Sequence, residues 1–462
     1  MNDIIYWSAV RLAAALRRRD LSARELTDAC LERIEAVNPD INAVVQIVAG
    51  RARAEADELD HRAWRDDFAG PLHGLPITIK DSLDTADIVS TGGTLGRRDF
   101  IPAMDAPVVA RLRAAGAVLL GKTNTPELTL SGETNNLIYG RTNNPFDLAL
   151  SPGGSSGGSA AIIACGGSAL ELGSDTGGSI REPAHLCGVT GIKPTAGRTP
   201  RTGHIVPFGG VMDALTQIGP MARYVEDLAL ALPIICGPDG VDPAMVPVPL
   251  RDPAAVDLAG LRVAWYANNG IVSADANIER VIGESAAAIA GEVRLIEQAL
   301  VPGMRRLVDL TTELRESANA GVILRLLKRW GTERPGPDLD GYLTEKSLAA
   351  SDRVDPRLLE AIDAARSDAL RIFDDYDVIL CPPSHALPRP HGASHGYSFD
   401  DWSYMTVYNL LGWPGVSLRA GTGADALPVG VQVVAAPWRE DVALALASRL
   451  ESLMGGFRPP PR

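Results

Sequence analysis

Apolar positions recur with two different periods along this chain, and the change of period marks its organisation. Near the amino terminus Leu26, Cys30, Ile34 and Val37 follow at helical spacing behind Ser22 and Glu25, an S-x-x-E pair that predicts a capped helix start. Residues 52–65 read as a second helix, alanine-rich and charged along one face. From Gly70 to about Pro200 short apolar runs alternate with Gly, Ser and Thr. Leu75-Pro-Ile-Thr-Ile-Lys80 predicts a strand with Thr78, Lys80 and Ser82 on one face and Asp81 on the other. Residues 108–115 predict a helix, 117–120 a buried strand, and a further helix starts near Tyr224. Strands are expected at 261–265, 378–380, 416–418 and 429–434. Residues 303–375 are helical in pattern, with Leu307, Leu310, Leu314, Ile323, Leu326 and Leu327, and are split by a Gly/Pro break at 331–341. Helices alternating with short apolar strands predict an α/β fold with a largely internal sheet.

The length of 462 residues allows one large domain or two smaller ones. Hydrophobic and charged contents of 46% and 22% are those of a soluble globular protein. A net charge of −13 argues against a nucleic-acid partner. The first residues show no basic segment followed by an apolar one, and no run of 18 apolar residues occurs, so neither export nor a membrane is expected and the cytoplasm is the expected compartment. Cys30, Cys165, Cys187, Cys236 and Cys381 are scattered, odd in number and without a C-x-x-C pair. They read as buried free thiols, not as a metal site or a disulfide framework. Basic residues are overwhelmingly Arg; Lys stands only at 80, 122, 193, 328 and 346. Only Lys is readily deprotonated, so a chain that otherwise uses Arg keeps these few positions open to base chemistry.

Two motif matches fail on context. Gly116-Ala-Val-Leu-Leu-Gly121-Lys122-Thr123 fits the phosphate-loop pattern, but a helix precedes Gly116 and an apolar strand fills the interval where a flexible loop is required. Gly153-Gly-Ser155-Ser-Gly157 fits a nucleophile elbow, yet residues 143–152 read as loop where a strand should lie. Histidines do follow at 185, 204, 385, 391 and 395, so a serine esterase with Ser155 as nucleophile stays open as an alternative. More specific is a set of three segments: Gly70 to Asp81 ending in Lys80, Ser151-Pro-Gly-Gly-Ser155-Ser-Gly-Gly-Ser159, and Gly173-Ser-Asp-Thr-Gly-Gly-Ser179-Ile-Arg181-Glu-Pro. Each alone is a Gly/Ser-rich stretch of the kind that makes linkers. Together, with Pro, Asp and Arg at set offsets between strands and helices, they are not linkers.

These segments resemble the amidase signature family, and the run 151–195 is similar to its defining segment nearly throughout, including Gly188-Val-Thr-Gly-Ile-Lys-Pro194. The likeness extends to Gly121-Lys-Thr-Asn124, Gly140-Arg-Thr-Asn-Asn-Pro145, Gly219-Pro-Met-Ala-Arg223 and Leu427-Pro-Val-Gly-Val-Gln432, with 240–375 least matched. It implies a single large domain over 1–462, its central mixed, twisted sheet covered by helices on both faces. The parts are amino-terminal helices (1–66), a signature core (67–235), a variable helical insert (about 303–375) and carboxy-terminal strands and a helix (376–462).

It also implies a Ser–Ser–Lys triad: Ser179 as nucleophile, Ser155 as proton relay and Lys80 as base. The chemistry is sound, because a serine needs a base and a lysine serves as one only if desolvation lowers its pKa. The turn Thr176-Gly177-Gly178-Ser179 offers successive backbone N–H groups unobstructed by bulky side chains, where the family resemblance puts the oxyanion hole. The same resemblance implies a cis Gly154–Ser155 bond and Thr129-Leu130-Ser131 beside the substrate; Asp175 and Arg181 are expected to pair and hold the loop. Lys122 is left a structural role.

The implied activity is hydrolysis of an amide, anilide, carbamate or ester through an acyl-enzyme, on a small-molecule substrate and without metal or organic cofactor; a homodimer is compatible with it. The glutaminase subunit of a tRNA-dependent amidotransferase shares this triad, although Thr202 to Leu215, with His204-Ile-Val-Pro-Phe208-Gly-Gly, is more similar to free-standing amidases. A non-catalytic binding protein is disfavoured because all three triad residues are present. Specificity is expected from the insert 303–375 and the loop 384–413, whose Trp330, Tyr342, Phe399, Trp402, Tyr404 and Trp413 point to an apolar or aromatic group.

Overall fold

The computed structural model describes residues 4–207, 213–346 and 354–461. Its helices are α1 (Ala9–Arg18), α2 (Ala23–Ile41), α3 (Ala49–Ala63), α4 (Pro107–Ala114), α5 (Gly157–Ala164), α6 (Arg181–Leu186), α7 (Val225–Ile235), α8 (Ala276–Ile289), α9 (Met304–Trp330), α10 (Pro337–Lys346), α11 (Pro356–Ala369), α12 (Ile372–Asp375), α13 (Ser403–Leu410) and α14 (Glu440–Met454). Its strands are β1 (Val44–Ile47), β2 (Pro76–Lys80), β3 (Val118–Thr123), β4 (Asn135–Asn136), β5 (Gly140–Arg141), β6 (Leu170–Asp175), β7 (Thr190–Lys193), β8 (Gln217–Ala222), β9 (Arg262–Trp265), β10 (Leu295–Gln298), β11 (Val378–Cys381), β12 (Gly415–Thr422) and β13 (Pro428–Ala435).

Eleven strands form one mixed sheet in the order β1-β3-β2-β6-β8-β7-β12-β13-β11-β9-β10, while β4 and β5 pair separately. β2 runs parallel to both β3 and β6, and β9 parallel to β10 and β11; the other pairings are antiparallel. Every residue of β2, β3, β6, β7, β8, β11 and β13 is buried. A strand buried at successive residues is covered on both faces, which is why these segments read as continuous apolar runs and not as alternating ones. The expected architecture, one large domain around a mixed, helix-flanked sheet, is therefore the one observed.

The capping box at the start of α2 is present, Ser22 Oγ accepting from the Glu25 N–H and the Glu25 carboxylate from the Ser22 N–H. The break at 331–341 is shorter than the pattern predicted: Pro337 occupies the first turn of α10, where its missing N–H is no loss. The expected loop 384–413 contains α13, whose residues are all buried and so carry no amphipathic stripe to read. All five cysteines are free thiols, four of them buried. No described helix is long and apolar enough to cross a membrane.

Candidate active site

Lys80 ends β2, between β3 and β6 in the sheet, and is fully buried. Its Nζ donates to Ser155 Oγ at 2.7 Å, Ser156 Oγ at 2.9 Å and Ser174 Oγ at 3.1 Å. Burial pulls its pKa from the ordinary 10.5 down to about 7, against the opposing pull of the Asp175 and Glu171 carboxyls. Glu171 is itself pushed up to about 8 by burial, despite hydrogen bonds from Thr78 and Thr123, so near neutrality it is largely the uncharged acid. Strand alternation holds as read: Asp81 faces away from Lys80, accepts from the Thr91 N–H at 3.0 Å and pairs with Lys122 at 3.6 Å.

Lys122 donates to the Leu83 carbonyl at 2.7 Å and to Ser90 Oγ at 2.9 Å, which leaves it nothing to do for a phosphate. Lys193 is also buried and drawn down to about 7, but it donates to the Pro194 carbonyl. Depressed basicity is thus common to buried lysines here; what sets Lys80 apart is that its three hydrogen bonds all go to serine hydroxyls, whereas Lys122 has one such partner beside a carbonyl and a carboxylate.

Ser155 and Ser156 lie in the turn that leads into α5 and both are fully buried. The Gly154–Ser155 peptide is cis. Position 154 has no room for a side chain: a Cβ there would lie 2.6 Å from the Ser131 carbonyl oxygen and 2.8 Å from the Glu133 nitrogen. Residues 151–154 form no strand, and the Ser155 hydroxyl meets Lys80 and not a histidine. His185 is engaged by the Gly430 N–H at 2.7 Å and the Ala386 carbonyl at 3.0 Å, and His204 lies on Ser174. The elbow reading with Ser155 as nucleophile thus finds neither the strand before the serine nor a histidine on its hydroxyl.

Ser179 sits in the turn between β6 and α6 and is partly exposed. The Ser156 N–H donates to the Ser179 carbonyl at 3.2 Å, tying the two serine-bearing turns together. Asp175 organises this turn, accepting from the Gly178 N–H at 2.8 Å, the Ile180 N–H at 3.1 Å and Asn409 Nδ2 at 2.9 Å. It pairs with Arg181 at 3.0 Å, both side chains fully buried. Burial would raise this carboxyl, but Arg181 and Asn409 hold it well below the usual carboxylate range. Arg181 also reaches Gln432 at 2.7 Å and Asn409 at 2.6 Å, locking the turn to β13 and α13. The expected Asp175–Arg181 pair is present in its supporting position.

A cleft of about 760 Å³ opens in front of Ser179. Thr129, Leu130, Ser131, Gly154, Thr176, Gly177 and Ser179 line it, whereas Gly178 does not and its N–H is turned inward to Asp175. The candidate oxyanion donors thus narrow to Thr176, Gly177 and Ser179. Ser155 and Lys80 are fully buried and do not line the cleft. The opposite wall comes from the two predicted segments: Arg315, Glu316, Val322, Ile323 and Leu326 of α9, Pro337, Asp338 and Leu339 of α10, and Tyr397, Phe399, Trp402 and Thr406. Of the six aromatics singled out, Phe399 and Trp402 reach the cleft. Trp330 stacks under Arg97, Tyr404 donates to the Val272 carbonyl at 2.7 Å, and Trp413 packs 4.6 Å from Phe373 in the core. The Tyr342 side chain and Phe208-Gly209-Gly210 fall outside the described residues.

Several site residues escaped the sequence reading. Ser156 and Ser174 lay inside the quoted segments and were given no role, although a second serine beside Ser155 was a signal in plain sight. Arg315 donates to the Thr176 carbonyl at 2.8 Å from a helix more than a hundred residues downstream, and no local pattern announces that contact.

The family model described as amidase matches residues 25–444. The chain belongs to the amidase family. Among amidase-family relatives, an acylamidase of Rhodococcus erythropolis is 34% identical over 97% of this chain and 96% of its own length. A glutamyl-tRNA(Gln) amidotransferase subunit of Nitratidesulfovibrio vulgaris is 35% identical, with 97% of each chain covered. Among solved structures, a 6-aminohexanoate cyclic dimer hydrolase complexed with substrate superposes with a TM-score of 0.87 at 28% identity, covering 99% of both chains.

Proposed function

We propose that this amidase-family chain hydrolyses a carboxamide or related acyl bond of a small apolar or aromatic substrate, with Ser179 as nucleophile, Ser155 as relay and Lys80 as base. The observation that carries this reading is the buried Lys80 ammonium bonded to three serine hydroxyls, with its pKa lowered to about 7. Neutral Lys80 takes the Ser155 proton as Ser155 takes that of Ser179, and Ser179 Oγ bonds to the carbonyl carbon. The oxyanion develops against N–H groups of the Thr176–Ser179 turn. The proton then returns through Ser155 to the leaving nitrogen, the C–N bond breaks, and water attacks the acyl-enzyme by the same route.

The apolar wall of Val206, Val322, Ile323, Leu326, Leu339, Phe399 and Trp402 supports a free-standing hydrolase over a glutaminase subunit, whose substrate is polar at both ends. Aryl amides, aliphatic amides, esters, carbamates and glutamine, offered to wild type, Ser179→Ala and Lys80→Ala, test both points. Turnover should fall to background in both variants, and the acyl group should appear on Ser179 by mass spectrometry. Turnover surviving intact in Ser179→Ala sinks the assignment, and glutaminase activity seen only with a partner protein would favour the subunit reading.

A further inference from the structure

Behind Lys80 the hydrogen bonds run on to a histidine that the reaction scheme above leaves unused. His204 Nε2 lies 3.0 Å from Ser174 Oγ, and its Nδ1 lies 3.3 Å from both the carbonyl oxygen and the nitrogen of Val206. The imidazole is 5% exposed. Burial and the neighbouring Lys80 charge draw its pKa down to about 3, so it is a neutral ring with one donor and one acceptor nitrogen.

Which nitrogen holds the proton follows from what Ser174 needs. Ser174 is buried and its oxygen accepts from Lys80 at 3.1 Å, so its own proton requires another acceptor. His204 Nε2 supplies one, and the ring proton then sits on Nδ1 and faces the Val206 carbonyl; the Val206 N–H, which donates to Nδ1 only in the other tautomer, gives up that contact, and the need of the buried Ser174 proton decides between the two. Ser156 is placed alike: it accepts from Lys80 at 2.9 Å and gives its own proton to the Ser174 carbonyl at 3.4 Å. Two hydroxyls around Lys80 therefore act only as acceptors. Once Lys80 is neutral, they take its two N–H groups, and the lone pair is left facing Ser155.

We propose that His204 is a positioning residue: by accepting the Ser174 proton on Nε2 it fixes Ser174 as an acceptor and so aims the lone pair of neutral Lys80 at Ser155. Without that acceptor Ser174 can turn its hydroxyl toward Lys80 and compete with Ser155 for the lone pair. The inference rests on the reading of Lys80 as base.

Two measurements test it. In the full-length enzyme carrying ¹⁵N-labelled histidine, the resonances that vanish in His204→Gln report this ring. The expected result is a protonated Nδ1 and a bare Nε2, and a protonated Nε2 would overturn the proposal without any assay of activity. Kinetically, kcat on an aryl amide should fall about 10- to 100-fold in His204→Ala, as for other small misplacements of a reacting group, with KM little changed. His204→Gln, whose side-chain oxygen takes the place of Nε2, should restore most of it. In a Ser174→Ala background His204→Ala should add little further loss, since the competing hydroxyl is gone. Equal losses in both backgrounds would make His204 a packing residue only, as would a His204→Ala enzyme that turns over like wild type. Ser179→Ala run alongside separates the two ideas: if it retains turnover the triad itself is wrong, whereas a dead Ser179→Ala beside a fully active His204→Ala rejects only this inference.

Discussion

Lys80 Nζ meets Ser155 Oγ at 2.7 Å at the buried end of an inner strand, and neither residue lines the cleft that Ser179 faces. Distance and burial together decide what this lysine can do. The hydroxyls hold it in place, and the loss of water draws its pKa down to about 7, as the proposed role of base requires.

The pH dependence follows with a definite sign. The base works only when neutral, so kcat/KM should rise with pH through an acid limb near pH 7, the value to which burial brings Lys80. The same shift enters stability. Between about 7 and 10.5 the unfolded chain binds a proton at this lysine that the folded chain does not, so stability rises with pH across that window. Lys80→Met should flatten its share of the rise, read from urea denaturation at pH 7 and pH 9.

Asp175 and Arg181 act with the same sign, but in the acid range. Burial would raise the carboxyl, but Arg181 holds it well below its usual range, so the pair contributes stability above the unfolded carboxylate value of about 3.9 and loses it as pH falls. Arg181→Met leaves a buried charge without its cation and should cost about 3–5 kcal/mol in urea denaturation at pH 7. Activity should vanish with it, because the same carboxylate fixes the Gly178 and Ile180 N–H groups of the Ser179 turn.

Two glycines should respond differently to the same methyl group. At Gly154 the new Cβ would meet the Ser131 carbonyl oxygen and the Glu133 nitrogen, both backbone and unable to yield. Gly154→Ala should destabilise the fold by about 1–3 kcal/mol or more and abolish turnover. At Gly177 the obstacle is the Arg315 guanidinium at 2.6 Å, which can swing away. Gly177→Ala should keep its stability within about 1 kcal/mol of wild type while kcat falls, because displaced Arg315 no longer holds the Thr176 carbonyl. Thermal melts beside steady-state kinetics distinguish the two.

The aromatic wall should act on binding more than on chemistry. Phe399→Ala and Trp402→Ala should raise KM for aryl amides about tenfold while leaving small aliphatic amides much less affected, as expected for about 1–2 kcal/mol of lost apolar contact. An equal effect on both substrate classes would mean that these rings shape the cleft without touching the substrate.

Legibility varied with the range of the interaction. The capping box of α2, strand β2 and the opposite facing of Lys80 and Asp81 were all readable, because each depends on residues a few positions apart. The short strand β7 and the buried helix α13 were not, since a fully buried element shows no period that tells helix from strand. The elbow and phosphate-loop matches failed on context that was already visible in the flanking residues. The aromatics were harder: composition put six in the specificity segments, but packing took Trp330, Tyr404 and Trp413 away from the cleft.

The sequence by itself determined the family, the α/β class and which serines and lysine to watch, because those signals are carried by short stretches whose glycines and hydroxyls have few other uses. Tertiary structure decided the rest. It put Ser174 and His204 behind Lys80, turned the Gly178 N–H away from the cleft and brought Arg315 onto the Thr176 carbonyl. Each is a contact between segments whose separation along the chain encodes nothing about their distance in space. A sheet whose strand order departs from chain order brings them together, and burial then sets whether a lysine is a cation or a base.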